Sequence, residues 1–179
     1  MRGRYDRGVK RVLLLRHAKS SWNDPRLGDR DRPLAPRGRR AVTALARHLR
    51  ETGSSPDLVL CSPAVRARQT LEGVAAGIRP DVAVEIDEAL YGAGATELLE
   101  RLTRLPAGMD VVLVIGHNPG IEELAAGLAG AGDRSRRARM AEKFPTGALA
   151  TFDTPGEWRD LTWGRATLAD FVVPRDLGR

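Results

Sequence analysis

The sequence predicts an α/β fold, three layers deep (α/β/α), around a mostly parallel central sheet. Three observations carry that expectation. Short apolar runs recur along the chain, they are too brief to be helices, and from Val12 they alternate with segments of helical spacing. Several runs are apolar without alternation, as strands covered on both faces are.

Taken in order, residues 1–9 carry no periodic pattern and read as a flexible tail ahead of a single domain over 10–179. VLLLR (12–16) is the first strand. The segment 33–53, PLAPRGRRAVTALARHLRETG, is a helix that places Ala41, Leu45, Ala46 and Leu49 on one face and stops at Gly53. DLVLCS (57–62) is the second strand, and PAVRARQTLEGVAAGI (63–78) the helix after it. VAVEI, a helix around TELLERLTRL, the strand VVLVIGH and a helix from NPGIEELAAGLAG continue the alternation. Near the end, GALATF and EWRDLTW are two runs expected to pair as a hairpin, before a tail ending VVPRDLGR. No internal repeat or linker marks a second domain.

Composition narrows the function classes. At 179 residues the chain is long enough to bury a full core, and 42% hydrophobic with 29% charged residues is ordinary for a globular protein. Aromatic residues make up only 4%, so the core is expected to rest on Leu, Val, Ile and Ala. No run approaches the roughly 18 apolar residues of a membrane span, and the basic start has too short an apolar run for a signal peptide. Cys61 is the one cysteine, which excludes an internal disulfide and fits a reducing compartment. A cytoplasmic location is expected. The net charge of +6 and a pI near 10.4 invite a nucleic-acid reading. The basic residues are nevertheless interleaved with 23 acidic ones, and no nucleic-acid-binding motif is present. An anionic small substrate or a phosphorylated protein suits the charge equally well, and neither nucleic acid nor membrane is expected as a partner. The dense cluster Arg134, Arg136, Arg137 and Arg139 reads as a solvated loop or helix face.

Ligands of such sheets bind beyond the carboxyl ends of the strands. Three segments place suggestive residues there. Arg16-His17 follows VLLL, Ser62-Pro63 follows DLVLC with Arg66 in the next helix, and Gly116-His117-Asn118-Pro119 follows VVLVI. The dipeptide Arg47-His48 has the same letters but falls inside a helix, so it reads as structural. Ser62 is suited to cap the second helix and Pro63 to open it, which puts Arg66 in a first turn rich in free N–H groups. Arg68, about 200° round the helix from Arg66, cannot face the same place, whereas Gln69 and Thr70 can. Asn118 and Pro119 are expected to cap and open the helix after His117.

RHAKSSWN, CSPAVRARQT and GHNP, in this order, resemble the signature segments of the histidine phosphatase superfamily. The resemblance continues through PLAPRGRRAV, DEALYGA and FPTGALATF, from residue 11 over nearly the whole chain. With its short length and no large inserted cap, the chain is most similar to the small SixA-like phosphohistidine phosphatases. Ala18 departs from the glycine that most of the superfamily carries there.

The resemblance implies a phosphoglycerate mutase-like fold and a metal-independent phosphatase, with no cofactor, that works through a covalent phosphohistidine. His17 would be the nucleophile, since a neutral imidazole is both a fair nucleophile and a fair leaving group. Arg16, Arg66 and His117 would surround the phosphoryl oxygens and stabilise the charge that builds on them. Ser20 and Asn23 fall where many relatives carry the same types; Asn23 is a candidate phosphate ligand, and a turn role in WNDP is an equal alternative. Glu88 stands where phosphomonoesterases of the superfamily carry an acid, with Asp87 a weaker candidate, although a phosphohistidine leaving group needs that acid less. Cys61 lacks the glycine-rich loop of a cysteine phosphatase and reads as a small buried residue. The implied substrate is a phosphohistidine-bearing protein or a small phosphoester. The alternatives are a phosphoglycerate-mutase-type phosphotransferase, for which the chain is short, and a phosphate-recognition module without turnover. Selectivity is expected to lie in 23–33 and in the arginine cluster, both read as surface loops.

Overall fold

Seven strands and five α-helices make up the regular structure of residues 8–177, the part of the chain that the computed structural model describes. They run β1 (Val9–Arg16), α1 (Pro36–Glu51), β2 (Leu58–Cys61), α2 (Val65–Val74), β3 (Ala83–Ile86), α3 (Ala95–Thr103), β4 (Val111–Gly116), α4 (Gly120–Leu128), β5 (Ala129–Gly132), α5 (Arg134–Glu142), β6 (Leu149–Pro155) and β7 (Ala166–Val172). The strands form one sheet in the order β3-β2-β4-β1-β6-β7-β5. β6 alone runs against the others, pairing antiparallel with both β1 and β7. The remaining pairings are parallel, as expected of strands joined through helices.

Both faces of the sheet are covered, and the apolar runs show why. Side chains alternate along a strand, so Val12 and Leu14 of β1 point to one face and Leu13 and Leu15 to the other. Val12 and Leu14 join Leu60, Val114, Leu124 and Phe152 in a core beneath α3 and α4. Leu13 and Leu15 join Val59, Leu113, Leu45 and Leu49 beneath α1 and α2. All four are fully buried, which is what an unbroken VLLL run requires. In α1, Leu45, Ala46 and Leu49 are buried as the spacing predicts, and Val42 joins them, while Ala41 is only half-buried. β3 is an edge strand whose four residues are all exposed.

The carboxyl-terminal part departs from expectation. EWRDLTW is no strand: it makes a 3-10 turn at Trp158–Asp160 that buries Trp158 and Leu161. The indole N–H of Trp158 donates to the Met109 carbonyl at 2.6 Å. The strand that does pair with β6 is β7, inside the segment read as a tail. β5, the short AGAG strand, had no apolar signal to betray it, since its place comes from pairing with β7. The arginine cluster lies on a helix, α5, started by Asp133, whose carboxylate accepts from the Arg136 N–H at 2.8 Å. The expected tail over 1–9 falls partly on residues 1–7, which lie outside the described residues, while Val9 already pairs with Pro155. No helix among the described residues is long and apolar enough to cross a membrane.

Candidate active site

Register brings three strand ends level. Arg16 of β1 pairs with Gly116 of β4, and Cys61 of β2 with Ile115. β4 lies between the other two, so the residues that leave these three ends enter one space. The His17 N–H donates to the Gly116 carbonyl at 3.0 Å and the Ser62 N–H to the Ile115 carbonyl at 3.0 Å. From the far side, the Gly147 N–H is shared between the carbonyls of Arg16 and His17 at 3.1 Å each. The backbone carrying His17 is therefore held from both flanks.

The side chains of His17, Arg66 and His117 meet there. The His17 and His117 rings lie 5.0 Å apart, tilted by 54°. His17 Nδ1 is 2.8 Å from the Ala18 carbonyl, an acceptor only, so the proton belongs on Nδ1 and Nε2 carries the lone pair. Arg66 Nε donates to that lone pair at 3.3 Å. Arg66 Nη2 is 3.3 Å from His117 Nδ1, which makes Nδ1 the acceptor and leaves His117 Nε2–H to donate to Ser62 Oγ at 2.7 Å. Burial pushes the His17 imidazole down to about 3, and the positive charges of Arg66 and Arg16 add to it while the Ala18 carbonyl opposes. Burial, then Arg66, likewise brings His117 down to about 4. Both rings are neutral near pH 7.

Arg66 sits on the first turn of α2 with its side chain buried, whereas Arg68 is exposed, as the helical angle requires. Thr70, one turn on, donates to the Arg66 carbonyl at 2.7 Å and accepts from the Ala18 N–H at 3.0 Å, tying α2 to the loop that bears His17. Gln69 accepts from the Leu34 N–H at 2.7 Å. Arg16 turns toward the other side of the site, where Nη1 donates to the Phe144 carbonyl at 2.8 Å. Its Nε is buried and has no hydrogen-bond partner among the described residues. Burial lowers its pKa, with the Glu122 carboxylate opposing. Asn118 donates to the same Phe144 carbonyl at 3.0 Å and to Glu122 at 2.9 Å.

Two expected caps are displaced. α2 begins at Val65, so Ser62 and Pro63 precede it, and Ser62 spends its hydroxyl on His117 instead. α4 begins at Gly120, so Asn118 and Pro119 likewise stand one step before the positions expected of them. Ser20 and Asn23 make no hydrogen bond to His17, Arg66 or His117 among the described residues. Ser20 is buried and its Oγ accepts from Arg32 Nη1 at 3.1 Å, while Asn23 is exposed and its backbone N–H donates to Ser21 Oγ at 3.1 Å. Glu88 stands at the rim, exposed, with both carboxylate oxygens on Arg30 Nη2 at 2.6 and 2.8 Å. Asp87 caps the short turn at Glu88–Leu90 and accepts from Arg101. Cys61 is buried, and burial pushes its thiol up to about 12, so it is no nucleophile at neutral pH.

Asp29 was not expected in the site. Its carboxylate accepts from Arg66 Nη2 at 2.9 Å, from the Tyr91 hydroxyl at 2.9 Å and from Arg32 at 2.5 Å. Burial would raise this carboxyl, but the three hydrogen bonds and the Arg66 charge outweigh it and hold the group well below the usual range. Tyr91 also sets its ring edge-on to His117, 5.7 Å between centroids. Asp29 thus puts a negative charge on the outer edge of Arg66, within the 23–33 segment. Only its place in GDRDRP, an acid among arginines, hinted at that role.

A profile of the Histidine phosphatase superfamily (branch 1) matches residues 12–97. An uncharacterized protein of Mycobacterium tuberculosis is 41% identical over 163 residues, covering 90% of this chain and all of its own. Among solved structures, the putative phosphohistidine phosphatase SixA of Nakamurella multipartitia is 32% identical with a TM-score of 0.81, covering 93% of this chain and 97% of that one. A SixA protein histidine phosphatase complexed with tungstate is 25% identical with a TM-score of 0.75, over 93% and 99% of the two chains. The fold is phosphoglycerate mutase-like, and phosphatase or phosphotransferase chemistry is the activity these relationships support. On its motifs, its fold and its relatives alike, the chain belongs to the histidine phosphatase superfamily and is SixA-like.

Proposed function

We propose that the chain is a metal-independent phosphatase that forms a covalent phosphohistidine on His17, with a phosphohistidine of a protein as the preferred substrate and a small phosphoester as the lesser one. The observation that carries this reading is the state of His17: Nδ1–H is tied to the Ala18 carbonyl, so the Nε2 lone pair faces Arg66 Nε. That lone pair attacks phosphorus as the bond from phosphorus to the leaving nitrogen or oxygen breaks. The leaving group departs with the bonding pair and takes up a proton. Water then attacks the phosphorus on Nε2, phosphate leaves, and Nε2 regains its lone pair. Little covalent chemistry is asked of the protein beyond this, so placing cations and donors around the three phosphoryl oxygens supplies most of the rate. Arg66 and Arg16 supply that charge, the latter with its unpartnered buried Nε. Tungstate, held by a related SixA, is an oxyanion of the class this reading requires.

The preference for phosphohistidine rests on Glu88. An alkoxide leaving group needs an acid, and Glu88 is instead held at the rim by Arg30. An imidazole leaves more readily. The test compares a phosphohistidine peptide with an alkyl phosphoester, each with excess chelator, for the parent chain and Glu88→Gln. The expected outcome is turnover of both that survives chelation, label trapped on His17 after rapid quenching, faster turnover of the phosphohistidine peptide, and a Glu88→Gln variant within about twofold of the parent on either substrate, because a carboxylate held by Arg30 donates no proton. Loss of turnover to the chelator would sink metal independence. A marked loss in Glu88→Gln confined to the ester would make Glu88 the acid for that substrate and remove the argument for phosphohistidine.

A further inference from the structure

A cleft of about 610 Å³ opens beside the strand-end cluster, between the start of α1, the end of α5 and the chain that follows β7. One wall carries Lys19, Arg37 and Arg40, and the other Arg139, Lys143 and Arg175. Its floor is apolar, from Ala41, Phe171 and Val173. Glu142 is the carboxylate among the lining residues. Arg139 and Arg175 share the carboxylate of Asp176, at 2.5 and 3.8 Å. Lys19, Arg37, Arg40 and Lys143 have no carboxylate partner among the described residues. Elsewhere on the surface, arginines such as Arg26, Arg79 and Arg101 face acids. Like charges gathered round a concave, partly apolar surface raise the local potential and favour an anion there. The start of α1 adds to this, since its first turn has no acidic residue and Ala35 offers no side-chain cap.

The cleft is built onto the backbone that bears His17. Lys19 is two residues beyond His17, and its carbonyl accepts from the Ala35 N–H at 2.8 Å. Gly38 lets α1 rest against that same carbonyl: a Cβ there would stand 2.2 Å from the oxygen. On the opposite wall, Thr146 lines the cleft and precedes Gly147, whose N–H binds the Arg16 and His17 carbonyls. A ligand lying in the cleft therefore runs alongside the reacting histidine.

We propose that this cleft docks an acidic polypeptide segment of the phosphorylated protein whose phosphoryl group is presented to His17, an inference that rests on the function proposed above. Carboxylates spaced along a peptide match the planar forks of the arginines, and the intervening side chains cover the apolar floor. A ligand made of phosphates alone would leave that floor unused and would meet Glu142 in the wall.

The test uses a fluorescently labelled peptide of alternating Glu and Val, without phosphate, titrated with the whole chain and followed by anisotropy. Its comparison is the triple variant Arg37→Glu/Arg40→Glu/Lys143→Glu, with Arg37→Gln/Arg40→Gln as a milder form whose melting temperature reports an intact fold. The expected result is saturable binding that weakens with salt and drops about tenfold or more in the triple variant. Hydrolysis of a small phosphoester should stay within about twofold of the parent in physiological salt, because these exposed side chains make no hydrogen bond or ion pair with His17, Arg66 or His117. In a second arm, an acidic tract on a phosphohistidine peptide should lower KM for the parent chain and not for the variant. Equal binding of the Glu peptide and a Lys counterpart, or no binding by a chain that still hydrolyses the ester, would overturn the docking proposal alone. Tighter binding of a nucleoside triphosphate at the same residues would overturn it in favour of a small polyanion. Peptide binding by a chain that hydrolyses nothing would leave the docking surface standing and sink the proposed chemistry instead.

Discussion

Arg16-His17 and Arg47-His48 are the same dipeptide in two settings, and the structure treats them as different chemical objects. His17 leaves a strand whose neighbours end at the same level, so Arg66 and His117 reach its ring from two other elements. Burial and those charges bring its pKa down to about 3. His48 lies inside α1, half-buried, with Asp170 3.6 Å away. Arg47 donates to the Leu177 carbonyl and stands 3.9 Å from Glu51 on its own helix. Arg16, by contrast, keeps a buried Nε with no partner among the described residues. A helix surface lets each side chain find its own local partner. A strand end in a parallel sheet removes water and gathers residues distant in sequence, and this is what shifts the His17 pKa.

The difference can be broken from the largest effect downward. His17→Ala should abolish phosphoryl transfer, with a fall on the order of 10⁶-fold in kcat, as loss of a nucleophile does elsewhere. Turnover by this variant near the parent rate would remove the role assigned to the strand-end pair. Arg66→Lys keeps the charge but loses the fork that spans His17, His117 and Asp29, and kcat/KM should fall by about 10²–10³-fold. A loss of less than about tenfold would mean that charge alone suffices there.

The pH dependence of stability sharpens the same contrast. His17 and His117 have folded pKa values of about 3 and about 4, below the 6.5 of an unperturbed histidine. Between pH 6.5 and those values the unfolded chain binds more protons than the folded one, so stability falls as the pH drops through that window. Melting temperatures recorded from pH 7 to pH 4 should fall, and His17→Gln should flatten the slope. The smallest effect is expected at the other dipeptide. His48→Ala should leave kcat and KM within about twofold and change stability by about 0.5 kcal/mol or less; a marked loss of activity would undo the distinction between the two pairs.

Much of the site was legible because parallel strands announce themselves. An unbroken apolar run followed at once by Arg-His, Ser-Pro or Gly-His-Asn-Pro marks a strand's carboxyl end, and three such ends in one sheet must be near each other. Asp29 and Tyr91 were not legible in this way. They come from irregular segments, and their meeting at Arg66 is made by side-chain hydrogen bonds with no periodic trace. The carboxyl-terminal strands were misread for a related reason. EWRDLTW has the bulky residues of a strand, but Trp158 and Leu161 are buried through a turn, and β7 owes its place to β6. The basic cleft, too, joins Lys19, Arg40 and Lys143 from three separate places, where no spacing rule connects them.

By itself, then, the sequence determined the α/β class and the two covered faces of the sheet, and it put Arg16, His17, Arg66 and His117 at or just beyond strand ends as candidates, because local periodicity and strand ends are written in neighbouring residues. Only the tertiary structure decided which nitrogen of His17 carries the lone pair, that Glu88 is held by Arg30, that Asp29 rests on Arg66, and that six cations share one cleft. Each of those depends on distances between residues far apart in the chain, and such distances exist only once the chain has packed.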